Sequence, residues 1–224
     1  ASDLFLLHGC CHNPSGADPD RALWQAIGEA LSKVGATALV DLAYQGLGDG
    51  LDEDAAGLRI LLDQIPELLL AYSCDKNFGL YRDRVGAAYV VSDKAAHLEI
   101  AKGHLAEIAR SCWSMPPDHG GAVVRLVMAD PRLEASWQSE LGQMAERVRA
   151  LRSQLAQYGT VGKFEFGRLR DEKGMFALLP TTSEDVVQLR NAFGIFMVGS
   201  GRINLAGLKE TDCDRFVQAI RKLD

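Results

Sequence analysis

The chain has 224 residues, of which 47% are hydrophobic and 24% charged, and its formal net charge is −6. These values are ordinary for a globular protein of one or two domains and argue against disorder. An acidic chain lacks the basic surface that nucleic-acid binding needs, and no apolar run approaches the roughly 20 residues that span a bilayer, so we expect neither kind of partner.

Short apolar runs alternate with amphipathic stretches in the first half of the sequence. The predicted strands are LFLLHGCC (4–11), ATALVDLAY (36–44), ELLLAYSC (67–74) and VGAAYVVS (85–92). A helix is predicted over 18–35, capped by Asp18 or Asp20 and ended by Gly35, and a second over 51–65. Strands that are apolar on both faces and separated by helices indicate an α/β fold with a largely parallel sheet covered on both sides.

The second half begins with a long helical pattern over 93–158, interrupted near SMPPDHGG (114–121). Its apolar stripe, which we interpret as core packing, consists of Leu141, Met144, Val148, Leu151 and Leu155. KFEFGRL (163–169) and GMFALLP (174–180) then resemble antiparallel strands, a capping signal at Ser183 predicts a helix over 183–193, and RINLAGL (202–208) is a further strand. We expect part of a large domain over 1–125, and a connecting helix with a small α+β domain over 126–224 whose sheet begins near 160.

Five cysteines are spread through the chain without a C-x-x-C pair: Cys10, Cys11, Cys74, Cys112 and Cys213. An odd number with this spacing favours buried, reduced thiols over a disulfide framework, and we therefore expect a cytoplasmic protein. The start of the chain lacks the basic segment and longer apolar segment of a secretory signal. His8 and His12 have no spacing partner that suggests a ligand set, so no metal site is expected.

Polar residues follow the ends of the first three predicted strands. They are His12 and Asn13 after the first, Asp41 and Tyr44 at the second, and Ser73 and Lys76 after the third. Because ligands of parallel sheets bind outside the carboxyl ends of the strands, we expect these side chains to converge on one crevice.

Lys76 and Arg84 allow two interpretations. Most turns that carry such residues are solvated loops. Alternatively, Lys76 is an amine for covalent catalysis and Arg84 clamps an anion, as a phosphate-bearing aldehyde cofactor would require. Asp41 and Tyr44 also have structural alternatives, as a turn cap and a core aromatic, but a buried aspartate would hold the proton on a pyridoxal ring nitrogen.

Five separated motifs resemble one known family across essentially the whole chain. They are HGCCHNPSGAD (8–18), VDLAYQGLGDGLDED (40–54), SCDKNFGLYRDRVG (73–86), RSCWSMPPDHGGAVV (110–124) and SGRINLAGL (200–208). Together they resemble the aspartate/aromatic amino acid aminotransferases. The resemblance implies pyridoxal 5'-phosphate as cofactor, a homodimer, and the aspartate-aminotransferase fold, whose large domain has a mostly parallel sheet with flanking helices and whose C-terminal domain is small and α+β.

The resemblance assigns the cofactor residues position by position. Lys76 matches the Schiff-base lysine, and Asp41 matches the partner of the pyridinium nitrogen. Tyr44 and Asn13 match the pair that hydrogen-bonds the ring oxygen. Ser73 and Arg84 match the phosphate ligands. Of these cofactor residues, the resemblance implies that Lys76, Asp41 and Tyr44 are catalytic.

The substrate residues follow in the same way. Arg202 matches the arginine that binds the α-carboxylate, and Phe176 falls where the family has an aromatic near the substrate, with Asn13 adjoining. Arg110 matches the arginine that receives the side-chain carboxylate of dicarboxylic substrates in the neighbouring subunit. The implied reaction is a ping-pong transfer of an amino group from an aromatic or dicarboxylic amino acid to a 2-oxo acid.

Two departures from the family pattern limit these expectations. The resemblance covers only the later part of the family's length, so we expect this fragment to bind cofactor weakly and to catalyse little. Asp75 stands beside Lys76 where the pattern more often has a serine. Its carboxylate either adds negative charge next to Lys76, unless Arg84 or another cation offsets it, or points away from the site. Two alternatives to an aminotransferase stay open. They are a non-catalytic fragment or dimerisation module that retains the fold, and another pyridoxal-phosphate reaction such as decarboxylation.

Overall fold

The computed structural model describes residues 3–223 and divides into two compact units. The first comprises the chain up to Cys10 together with 19–46 and 51–141, and the second comprises 11–18, 47–50 and the chain from Gly142 onward. The domain boundary that the sequence suggests at 125–126 stays a prediction. None of the helices in the described part of the chain is both long and apolar enough to cross a bilayer.

The first unit is organised around a four-stranded sheet. Its strands are β1 (Leu4–His8), β2 (Thr37–Leu42), β3 (Glu67–Ser73) and β4 (Gly86–Ser92), in that spatial order. The first three strands are parallel, which confirms the mainly parallel sheet, whereas β4 is antiparallel to β3. The segment between β3 and β4 contains no crossover helix, and a parallel connection needs one.

Helix α1 (Arg21–Val34) has the ends that the sequence predicts. The Asp20 carboxylate accepts a hydrogen bond from the Leu23 N–H at 2.8 Å, and Gly35 ends the helix in the left-handed conformation at φ 65°. Asp20 is therefore the N-cap, and Asp18, the other candidate, is not. Helix α2 (Ala56–Gln64) packs on α1 where Gly57 faces the indole of Trp24 so closely that a Cβ would overlap the ring.

The long helical region is divided into α3 (Ala95–Trp113), α4 (His119–Ala129) and α5 (Pro131–Ala156). The break near 114–121 is confirmed. A second break, not predicted, precedes Pro131, whose fixed φ and missing N–H suit the first position of a helix.

The apolar stripe on α5 is largely buried, but one of its members is not. Leu141, Val148, Leu151 and Leu155 are 7% exposed or less, whereas Met144 is 42% exposed. The next residue, Ala145, is buried, so the buried face of the helix includes Ala145 rather than Met144. The prediction that Met144 packs in the core is therefore wrong, because a long apolar side chain at the margin of a helix face can lie over the surface.

The second unit contains two small antiparallel sheets and two further helices. β5 (Thr160–Val161) pairs with β6 (Phe164–Glu165), and β7 (Phe176–Leu178) pairs with β8 (Arg202–Asn204). The helices are α6 (Ser183–Phe193) and α7 (Cys213–Ile220). The core lies among α5, α6 and α7, with the rings of Phe164 and Phe166 at most 1% exposed.

Three local predictions for this unit are wrong in detail. KFEFGRL forms a strand only at 164–165, continues as a 3₁₀-helix over 166–170, and does not pair with GMFALLP. RINLAGL likewise turns from strand to 3₁₀-helix at Leu205. The cap of α6 is Thr182, one residue before Ser183, and it forms a capping box with Asp185.

All five cysteines are thiols. Four of them are buried as expected, and Cys112 on α3 is exposed, so the prediction of burial is wrong there. Burial raises the pKa of the Cys74 thiol and of the Cys213 thiol, which makes both poor nucleophiles at neutral pH.

Candidate active site

The predicted lysine and tyrosine lie together at the carboxyl edge of the sheet in the first unit. The Lys76 Nζ is 5.1 Å from the centroid of the Tyr44 ring, and Tyr44 is 8% exposed. Asp41 is the register partner of His8 on one side and of Ala71 on the other. Its half-buried carboxylate makes no hydrogen bond or ion pair with the other described residues of this unit, so it remains available to a ligand.

The segment between β3 and β4 carries both Lys76 and Arg84. Ser73, at the end of β3, accepts a hydrogen bond from the Asp75 N–H at 3.1 Å. The Asp75 carboxylate accepts one from the Val85 N–H at 3.0 Å and forms an ion pair with Arg84. Arg84 is also in the left-handed region, at φ 54°, and donates a further hydrogen bond to the Tyr81 carbonyl at 3.1 Å.

Asp75 therefore points toward the return of the loop, whereas Lys76 points toward Tyr44. The sequence offered Arg84 as one cation that could offset the charge of Asp75 but did not decide that the two would pair, because a residue pair nine positions apart in a loop leaves no periodic signal. Arg84 is held here by a carboxylate of the chain itself. A phosphate would have to share this guanidinium or use its remaining N–H groups.

Three predicted substrate residues lie together in the second unit. Arg202 Nη1 donates a hydrogen bond to Asn13 Oδ1 at 3.1 Å, and the Arg202 guanidinium lies 4.8 Å from the centroid of the Phe176 ring. The loop that carries Asn13 is fixed by Asp18, whose carboxylate accepts from the N–H groups of Cys11 and His12 at 2.7 and 2.9 Å. An apolar cavity of about 560 Å³ adjoins Arg202 and Phe176.

Sequence reasoning missed Arg152, a buried cation that organises the segment before Phe176. Arg152 is 2% exposed and donates to the carbonyls of Lys173 and Gly174, both at 2.9 Å, and to that of Phe176. It also pairs with Glu172 at 3.3 Å. Burial lowers the pKa of Arg152 and raises that of Glu172, since both charged forms lose water. No sequence signal marks it, because an arginine in a helix is usually exposed.

Arg110 is the remaining predicted site residue of the first unit. It is an exposed residue in the last turn of α3, and its carbonyl accepts a hydrogen bond from the Ser114 N–H at 2.8 Å. Its side chain makes no hydrogen bond or ion pair with the described residues of the first unit. Among the described residues of that unit, no hydrogen bond or ion pair therefore joins Arg110 to another predicted site residue.

Comparisons with known proteins place these residues in one family. The family model for aminotransferase class I and II matches residues 1–220. The chain is 45% identical over 222 residues to an aromatic-amino-acid aminotransferase of Paracoccus denitrificans, covering 97% of this chain and 56% of that protein. It is 46% identical to a tyrosine aminotransferase of Rhizobium meliloti strain 1021, covering 95% and 54%.

Solved structures agree with these relatives. An aromatic amino acid aminotransferase with 3-indolepropionic acid matches at a TM-score of 0.92 and 44% identity, over 97% of this chain and 57% of that one. The Burkholderia pseudomallei aromatic-amino-acid aminotransferase covalently bound to pyridoxal phosphate matches at 0.92 and 35%, over 99% and 56%. The chain thus spans just over half the length of the relatives that it matches. From its sequence and its fold, the chain belongs to the aminotransferase class I and II family.

Proposed function

We propose that this chain is part of a pyridoxal-phosphate-dependent aminotransferase that moves an amino group from an aromatic or dicarboxylic amino acid to a 2-oxo acid by a ping-pong mechanism. The observation that carries the proposal is the position of the Lys76 amine over the Tyr44 ring, at the strand edge that also carries Asp41, whose carboxylate makes no hydrogen bond or ion pair with the other described residues of its unit. Family membership and the names of the relatives support it.

The residues present fit the chemistry of this cofactor. When bound, pyridoxal phosphate supplies an electron sink for negative charge at the substrate α-carbon. Lys76 would hold the cofactor by condensing its amine with the aldehyde carbon, with loss of one water. Once the substrate amine has displaced it from that carbon, the free Lys76 amine would take the proton from the substrate α-carbon. Asp41 would keep the ring nitrogen protonated, and Tyr44 with Asn13 would donate hydrogen bonds to the ring oxygen.

The phosphate and the substrate carboxylate would each be bound by an arginine. Ser73 and Arg84 are the proposed phosphate ligands. Arg202 is the proposed receptor of the α-carboxylate, because a guanidinium offers two parallel N–H groups to a carboxylate and an ammonium does not. The Asn13 contact and the Phe176 ring hold that guanidinium in place, which limits the entropy that it loses when substrate binds.

We propose a homodimer in which Arg110 serves the neighbouring subunit's site, which its exposed position on α3 would permit. The cytoplasm is the proposed compartment, since cysteines kept as thiols suit a reducing environment. We also propose weak cofactor binding and low turnover for the 224-residue chain alone, because it spans about 56% of its relatives.

The alternative of a non-catalytic module that retains the fold has one observation in its favour. The Arg84 guanidinium, the proposed phosphate ligand, is already paired with Asp75. If that pair excluded phosphate, the chain would keep its fold and lose the cofactor.

Covalent capture separates the two functions. The purified chain is incubated with pyridoxal 5'-phosphate, reduced with borohydride and mapped by peptide mass spectrometry. The aminotransferase proposal expects the label on the peptide that contains Lys76, its loss in K76R, and its retention in the control K33R, which alters an exposed lysine of α1. Labelling confined to scattered surface lysines would overturn the proposal and favour the non-catalytic module.

A further inference from the structure

Lys76 is bracketed by two buried polar residues. Asp75 and Asn77 are each 1% exposed, although each carries a group that water would solvate well. The Asp75 carboxylate accepts from the Val85 N–H, and the Asn77 Nδ2 donates to the Gln45 carbonyl at 3.2 Å and to the Tyr72 hydroxyl at 3.0 Å. The backbone on both sides of the lysine is therefore fixed by buried hydrogen bonds, which are costly to break.

Trp137, on α5, contacts the turn formed by residues 74–79, although it lies 60 residues beyond Asn77 in the chain. Its Nε1–H donates a hydrogen bond to the Asn77 carbonyl at 2.7 Å. Its ring stacks on Phe78, with the centroids 4.4 Å apart and the planes 11° from parallel. Trp137 thus contacts the two residues that directly follow Lys76, one by a hydrogen bond and one by a ring contact.

The backbone hydrogen bonds within the turn add only modestly to these side-chain contacts. The Phe78 N–H donates to the Cys74 carbonyl and the Gly79 N–H donates to the Lys76 carbonyl, both at 3.2 Å. These contacts close a single turn, which is marginal without tertiary support. The Asn77 carbonyl points out of the turn, and the indole N–H is the donor that satisfies it.

We propose that Trp137 is a positioning residue for Lys76. It fixes the Asn77–Phe78 peptide from the side of α5, and through that peptide it restricts where the lysine amine can reach. The catalytic meaning of this restraint rests on the proposed function of Lys76, whereas the restraint on the turn does not. Geometry of this kind matters because small displacements of a reacting group are costly for catalysis.

The decisive variant is W137F, which keeps an aromatic ring for the stack on Phe78 and removes only the N–H donor. W113F is the matched control, because Trp113 is 64% exposed on α3. Two quantities are measured on each folded variant. They are the amide hydrogen exchange of residues 76–79, and the rate of covalent capture of pyridoxal 5'-phosphate at Lys76 followed by borohydride reduction.

We expect W137F to exchange these amides about two- to tenfold faster than the wild type, the range that one net hydrogen bond implies, and to be captured several-fold more slowly at Lys76. W113F should match the wild type in both. F78L, which removes the stack and keeps the hydrogen bond, should give a smaller change in exchange, and it serves as the second variant should W137F fold poorly.

The outcomes separate this inference from the proposed function. Faster exchange in W137F without any capture at Lys76 in the wild type would retain the restraint and reject the aminotransferase proposal. Capture at Lys76 that is equally fast in wild type and W137F would retain the aminotransferase proposal and overturn the positioning role. Exchange in W137F that equals that of W113F would overturn the restraint itself.

Discussion

Asp75 and Arg84 form an ion pair whose partners differ sharply in exposure, since the side chain of Asp75 is 2% exposed and that of Arg84 is 73% exposed. The same carboxylate accepts the Val85 N–H at 3.0 Å, directly before β4 begins at Gly86. The buried Asp75 carboxylate thus interacts both with the exposed Arg84 guanidinium and with the backbone N–H of Val85. The backbone bond is the stronger restraint, because ion pairs with an exposed partner contribute little.

Substitutions at Asp75 should separate these two contributions. D75N keeps an oxygen for the Val85 N–H and loses the charge, so we expect it to lower the free energy of unfolding by about 1 kcal/mol or less. D75A also leaves the Val85 N–H without its acceptor and should cost about 1–3 kcal/mol more. Urea denaturation of both variants checks this order, and equal losses would show that the backbone bond contributes nothing.

Removal of the buried Arg152 should strongly destabilise the second unit. R152M leaves the buried Glu172 with Arg168 as its remaining cation and removes the Arg152 donor from three carbonyls, and such losses cost about 3–5 kcal/mol. The control is R149M, because the Arg149 side chain is 49% exposed and its loss should stay within about 1 kcal/mol. Thermal unfolding monitored by circular dichroism compares the two, and similar melting temperatures would contradict the expectation.

Two glycines with left-handed backbones should respond differently to alanine. Gly174, at φ 73°, lies so close to Cys11 that a Cβ would overlap its side chain, whereas Gly35, at φ 65°, has nothing within 4 Å of that position. G35A should therefore cost only the conformational strain, about 1 kcal/mol. G174A adds a steric overlap and should cost clearly more. The comparison is made by chemical denaturation, and an equal cost would show that Cys11 moves aside freely.

Acid should remove part of the stability of the second unit through Asp185. The hydrogen bond from Lys163 Nζ at 2.6 Å lowers the pKa of the Asp185 carboxyl, and the bond from the Thr182 N–H adds to this. Because the folded pKa lies below the unfolded value of about 4, the ionised carboxylate stabilises the fold above that pH, and the contribution is lost as the pH falls through the folded pKa. The difference in unfolding free energy between wild type and D185N should therefore shrink from pH 6 to pH 3. A difference that stays constant over this range would exclude the linkage.

Replacement of Arg202 by lysine should weaken the binding of a carboxylate. R202K retains the charge but loses the planar pair of N–H groups and weakens the contact with the Phe176 ring, so the affinity for an aromatic carboxylate should fall about tenfold. R190K, on an exposed site of α6, is the matched control. Isothermal titration of each variant tests the expectation, and unchanged affinity in R202K would remove Arg202 from the substrate site.

Local features of the fold were predictable because their signals are local. Asp20 and Gly35 mark the ends of α1 in any context, since capping depends on neighbouring backbone groups. The alternation of apolar strands and amphipathic helices, which can also be recognised in short stretches of sequence, indicated the parallel sheet. The capping box of α6 was displaced by one residue, because Thr182 and Ser183 are both good caps and the sequence does not decide between them.

Features that depend on distant contacts were not predictable from the residues alone. Phe164 and Phe166 alternate with polar residues as in a strand, yet the chain continues as a 3₁₀-helix after Glu165 while both rings stay buried in the core. The burial of Arg152 depends on carbonyls more than 20 residues away. Among the site residues, the positions of Lys76 and Arg202 followed from matched motifs, and their roles stay predictions until the capture and titration experiments are made.

The antiparallel pairing of β3 and β4 has a consequence for the chain between them. Ser73 and Gly86 are register partners, so residues 74–85 form a loop whose two ends lie side by side on the sheet. The entropy of closing such a loop grows only with the logarithm of its length, so doubling it costs about 0.6 kcal/mol. Evolution could thus have lengthened or shortened the exposed tip at Tyr81 and Arg82 while the lysine-bearing turn stayed in place.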